Sequence, residues 1–133
     1  MGIRRSRRQG ELAVAGMVNR VEPLTIVQVS PLAWEDDTEA GTYVAGLSEA
    51  LAERGHRVIV VAPSRDDRRV RDGHATIAAG TPGAPGEVTF VAISEAFGFA
   101  ERGRAAMPID ATRSLETLLA DPAIDICHVH EPF

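Results

Sequence analysis

The sequence has a single cysteine, no lysine and no long apolar run. Cys127 alone cannot form an intramolecular disulfide, so nothing asks for an oxidising compartment, and the expected setting is the reduced cytoplasm. No hydrophobic stretch approaches the roughly 20 residues that a membrane-spanning helix needs. All fourteen basic residues are arginine, a bias of composition rather than a chemical signature. Neither GxGxxG nor GxxxxGKS/T occurs, which removes support for a dinucleotide fingerprint or a P-loop.

What is present is ordinary for a globular domain. The 133 residues are 44% hydrophobic and 25% charged, enough to bury about two thirds of the unfolded surface around one core. The net charge of −5 conceals an asymmetry, because the first sixteen residues carry +3 and the remainder −8. An acidic body repels a polyanion, so no nucleic-acid partner is expected. Ser6-Arg7-Arg8 has the outline of a twin-arginine export signal, but Leu12–Val18 is short and is interrupted at Asn19 and Arg20. Residues 1–22 are therefore expected to form a disordered basic extension ahead of the folded part, residues 23–133.

Leu24–Ser30 (LTIVQVS) is apolar, β-branched and closed by Pro31, as a buried strand is. Thr42–Arg54 places Val44, Leu47, Ala50 and Leu51 on one helical face, with Glu49 and Glu53 on the other, and Gly55 supplies the left-handed residue that ends such a helix. Val58–Ala62 is a second strand, stopped by Pro63. Strand, helix and strand make a βαβ unit whose parallel strands need cover on both faces. His74–Ala79 and Glu87–Ile93 read as further strands, residues 80–86 as a loop, and Ser94–Met107 fits either a loop or a frayed helix. Ile109–Ala120 carries a helical stripe of Leu115, Leu118 and Leu119, ended by Asp121-Pro122. Ile124–His130 is the last strand.

This alternation predicts an α/β fold, a Rossmann-like, doubly wound parallel sheet. Strand order 3-2-1-4 would put Ile124–His130 at an edge, with unpaired backbone groups that invite self-association. A parallel strand running straight into the last residues, with no helix or strand beyond it, leads us to expect an incomplete domain.

Ligands of open α/β sheets bind outside the carboxyl ends of the strands, near the point where strand order reverses. Two segments qualify: Ser30–Thr42 and His128–Phe133. Gly41 stands at the first helix, where backbone N–H groups and the helix dipole favour a phosphate; it fits equally a glycine that only lets the loop enter the helix. In HVHEPF, alternation puts His128 and His130 on one side of the strand, with Cys127 and Glu131 on the other. Histidine exchanges hydrogen bonds with hydroxyl groups near neutral pH, so His130 suits a polar cleft, while His128 reads as a core histidine. A metal needs three or four converging ligands, and two histidines do not supply them; no metal site is expected. Arg65–Asp72 (RDDRRVRD) has the outline of a membrane-surface patch, but it nets only +1 and reads as a solvated loop.

The segments LTIVQVSPLAW, LSEALAERGHRVIVVAPS and DICHVHEPF, in this order, resemble the N-terminal domain of family 4 retaining glycosyltransferases of the GT-B fold, over about Leu24 to Phe133. The bacterial phosphatidylinositol mannosyltransferase-like enzymes are the most similar in character. The resemblance implies a transferase that takes a nucleotide sugar as substrate and needs no cofactor. Its N-terminal domain would hold an acceptor, and its C-terminal domain the donor. It implies a catalytic role for His130 beside the transferred sugar, and a donor-phosphate or substrate-binding role for Gly41, Thr42 and Glu131. The chain departs from the family pattern at Thr38 and Glu39, where a glycine pair is usual, and at Ser94–Gly98 (SEAFG), where the phosphatidylinositol enzymes carry asparagine and glycine; the donor domain is expected to be missing from it. The expectation is an acceptor-side half that is inactive alone. The rival expectations are a non-catalytic remnant or split-enzyme interaction module, and a small stand-alone nucleotide-binding protein.

Overall fold

The computed structural model describes residues 22–99, 104–107 and 111–130. The expected basic extension, apart from Glu22, lies outside the described residues, as does Glu131. The elements run β1 (Thr25–Val29), α1 (Glu39–Glu53), β2 (Arg57–Ser64), α2 (Asp67–Ala79), β3 (Val88–Glu95), β4 (Phe97–Phe99), β5 (Arg104–Ala106), α3 (Thr112–Leu119) and β6 (Ile126–Val129). Four of them form one all-parallel sheet in the order β3-β2-β1-β6, so the α/β, Rossmann-like architecture and the strand order are both as the pattern predicts. β4 and β5 pair antiparallel as a separate two-stranded ribbon.

Parallel strands are covered on both faces, which is why β1 and β2 are almost continuously apolar. On one face α1 lays Val44 and Ala52 over Val58 and Val60, flanked by Trp34, Leu51 and Phe90. On the other, Ile77 of α2 and Leu118 of α3 pack on Val27, Val29, Ile59, Val61, Val91 and Ile93. Each fully buried Val or Ile contributes about 1.5–3 kcal/mol relative to exposure, so these two layers supply most of the apolar stabilisation. α1 meets the sheet through Val44, Ser48 and Ala52, a row spaced by four residues, while Ala50 is exposed. Small residues in that row bring the helix close. α2 comes closer still: a Cβ at Gly73 would stand 1.9 Å from the carbonyl oxygen of Ala92.

Three expectations are corrected. His74–Ala79 is not a strand but the second half of α2, and Arg65–Asp72 is not a loop but its entry and first turns. Asp66 caps α2 by accepting from the backbone N–H groups of Arg68 (2.9 Å) and Arg69 (3.4 Å). Ser94–Met107 is neither a loop throughout nor a helix, since β3 continues to Glu95 and the ribbon of β4 and β5 follows. Among the described residues no helix is long and apolar enough to cross a membrane.

Candidate functional site

The strand order reverses between β1 and β6, and the register aligns Gln28 with His128 and Val29 with Val129. Pairing continues one residue further, where the His130 N–H donates to the Val29 carbonyl at 2.9 Å. Alternation then sets Gln28, His128 and His130 on the α1 side of the sheet, at the carboxyl ends of the two strands. The sequence prediction that the two histidines share a side holds, with ring centroids 4.0 Å apart. Their burial is the reverse of the expectation for His128: its ring is exposed, and His130 is the buried one, at 8% exposure. The cause is position along the strand, because no described helix covers β6 at His128, whereas His130 reaches the crevice between β1 and α1.

His130 is held on three sides. Its Nε2 lies 2.6 Å from Oε1 of Gln28, a side chain with no exposed surface. The edge of the Tyr43 ring lies 5.9 Å away, centroid to centroid. His128 covers it from the strand. Burial, and then the charge of His128, push the His130 imidazolium below the ordinary histidine pKa, so the ring is neutral at pH 7. Among the described residues the Gln28 Nε2 is buried without a hydrogen-bond partner, at a cost of about 1–3 kcal/mol.

The start of α1 lies beside His130 through Tyr43. Thr38 is its N-cap, and its hydroxyl accepts the Gly41 N–H at 2.9 Å. That amide, which the sequence suggested for a phosphate, is already bonded. A Cβ at Gly41 would come 3.1 Å from the same hydroxyl, so the glycine gives the capping side chain its room. Thr42 and Tyr43 face outward, Tyr43 at 61% exposure, and with Asp37, Thr38 and Glu39 they line a hollow of about 450 Å³. Two carboxylates beside it favour hydroxyl donors over phosphate. A second hollow, about 310 Å³, lies at the end of β3 among His74, Ser94, Glu95 and Ser114.

The loop from β1 to α1 is fixed to the end of β2. Glu35 accepts from the Ser64 hydroxyl at 2.6 Å and from the Arg65 N–H at 2.9 Å. Although burial pushes the Glu35 carboxyl up, these hydrogen bonds and the Arg69 charge together hold it below the usual carboxylate value. Arg65 pairs with Asp36 at 2.8 Å, and Arg69 lies near both Glu35 and Asp66. The basic run considered as a membrane patch thus spends two of its arginines on ion pairs. Among the described residues no group of three or more His, Cys, Asp or Glu side chains could hold a metal ion.

The structure therefore brings Tyr43, the residue after Gly41 and Thr42, against His130, while the hollow at the start of α1 is lined by Thr42 and Tyr43 without His130 or Gly41; Glu131 lies outside the described residues. Sequence reasoning missed Gln28 and Tyr43. Gln28 had a signal, a lone amide inside an apolar strand, and Tyr43 is the only tyrosine of the chain, next to the glycine and threonine already singled out. A family model described as "Glycosyl transferase 4-like domain" matches residues 38–133, a span that contains the whole crevice except Gln28 and its strand. Comparison with curated proteins and with solved structures found no match.

Proposed function

Since the chain belongs to the glycosyl transferase 4-like family, we propose that it forms the acceptor-side wall of a retaining transfer from a nucleotide sugar to a hydroxyl acceptor. One observation carries this reading: a buried His130 stands at the strand-order reversal, against the edge of the Tyr43 ring at the start of α1. A neutral imidazole and an exposed aromatic ring together suit a sugar, the ring packing on its C–H face and the imidazole meeting a hydroxyl. Thr42 offers a further hydroxyl, and Gly41 keeps the turn narrow.

Sugar transfer requires the departing diphosphate to be stabilised and the acceptor held in reach of the anomeric carbon, so groups must converge from two sides of a cleft. The described residues present one side, and the basic groups for a diphosphate belong on a second domain. In this reading the nucleotide sugar is a substrate and no cofactor takes part. The test is reconstitution of the full chain with a donor domain of the same family, supplied by fusion or in trans, and a radiolabelled nucleotide sugar. The chain alone is expected to transfer nothing. In the reconstituted enzyme, His130→Ala should reduce turnover about 100-fold or more and His128→Ala far less. Transfer by the chain alone, or equal sensitivity of the two histidines, would overturn the reading.

A second reading is favoured by β6, whose four residues are all exposed. Such a strand fits an interaction module that docks on a partner chain, in which case reconstitution would yield a complex without transfer.

A further inference from the structure

We infer that Gln28 is a positioning residue: its side-chain carbonyl fixes His130 as the Nε2–H tautomer, leaving Nδ1 as an obligatory acceptor for a hydroxyl-bearing ligand. The hydroxyl class rests on the sugar-transfer reading; the tautomer does not. Three observations converge. The Nε2 to Oε1 separation is 2.6 Å, a short hydrogen bond for these atoms. Gln28 has no exposed surface and His130 only 8%, so water scarcely competes for the bond between them. The strand ladder fixes both backbones, since the His130 N–H donates to Val29, the residue after Gln28.

A polar side chain in the middle of β1 is costly where Val27 and Val29 beside it are apolar and buried. The orphaned Nε2 of the same amide shows that Gln28 is not there to satisfy itself. Its carbonyl is used and its amino group is not. A histidine free to exchange tautomers can offer a ligand either a donor or an acceptor; one with Nε2–H committed to a buried carbonyl can only accept while it is neutral. His130 thus takes the proton of a hydroxyl hydrogen bond rather than giving one, which selects sugar or polyol hydroxyls over carbonyl or ether oxygens. The titratable groups facing it are His128, from its own chain segment, and Tyr43, from α1; β1 contributes the neutral Gln28.

The experiment is long-range 1H–15N NMR of the uniformly labelled full chain at pH 7.5, with the His130 ring assigned by His130→Asn. His130 should show a pyridine-like Nδ1 and a protonated Nε2. In Gln28→Leu both nitrogen shifts should move toward the averaged values of an exchanging ring. In Gln28→Glu, which keeps an acceptor in place, the Nε2–H form should persist and the His130 titration midpoint should rise above that of wild type. A protonated Nδ1 in wild type, or an unchanged single tautomer in Gln28→Leu, overturns the proposal. Should the leucine variant fail to fold, the wild-type tautomer and the glutamate titration decide it. No sugar is present in any arm, so a failure here is separate from a failure of reconstituted transfer.

Discussion

β1 and β6 are adjacent strands, aligned residue for residue from Ile26 with Ile126 to Val29 with Val129, yet they occupy different environments. Val27 and Val29 are 0% and 1% exposed, whereas Ile126 and Val129 are 44% and 41% exposed. Hydrogen bonding to the sheet is shared; cover is not. α1 lies over one face of β1 and β2, and α2 with α3 over the other, while β6 has its ladder to β1 and little over either face. An apolar β-branched segment therefore specifies a strand, but its burial is decided by the helices laid across it. The Gln28–His130 hydrogen bond sits on the seam between the two environments.

The sharpest way to break this contrast is truncation on each side. Ile59→Ala, at a site with no exposure, should cost about 2–5 kcal/mol in urea unfolding. Ile126→Ala should cost roughly 0.5 kcal/mol. Equal losses would mean that β6 is covered in solution by something the described residues do not include.

A smaller effect concerns association. With its outer edge unpaired among the described residues and its side chains exposed, β6 is a template for a second strand, and light scattering should detect oligomers of the wild-type chain. Ile126→Glu combined with Val129→Glu should return the chain to a monomer while lowering stability by less than about 1 kcal/mol. A monomeric wild type would remove association from the properties of this edge.

The smallest effect is at the seam itself. Burial depresses the His130 pKa in the folded state, so between the folded value and the unfolded value of about 6.5 the unfolded chain binds more protons. Stability from this group is complete above about pH 6.5 and is lost as the pH falls through the depressed folded value. Glu35, also depressed, loses its contribution only in the more acidic carboxylate range. Unfolding curves for wild type and His130→Gln, taken between about pH 7.5 and 5, should diverge in slope, with the variant flatter. Parallel slopes would place His130 in water, like His128.

The sheet was legible because a strand buried on both faces leaves a run such as RVIVVAPS, which few other structures explain. α2 was not, since it buries only Val70, Gly73 and Ile77 and exposes a surface of arginine and aspartate that resembles a loop. Its contact depends on Gly73 lying against the Ala92 carbonyl, a close approach that adds no apolar signal to the sequence. Within the site, His130 could be found from the alternation of HVH, but which histidine is buried depends on where α1 and β1 end. Gly41 was visible and its hydrogen bond was not, because the Thr38 hydroxyl takes the amide only once the helix has formed.

The segment between β1 and α1 is bound at several points along a short length of chain. The Trp34 N–H donates to the Pro63 carbonyl at 3.0 Å and the Met107 N–H to the Pro31 carbonyl at 2.7 Å, in addition to the Glu35 and Asp36 ties to Ser64 and Arg65. Mechanically this is a braced strut rather than a hinged flap. The wall beside His130 cannot swing by itself; displacing it would also have to strain the exit of β2 and the chain leaving β5. The entropy of holding that wall in place is spent on folding, so a ligand entering the crevice meets a surface already set. Any rearrangement on this side would then have to move the loop, the exit of β2 and the chain after β5 together.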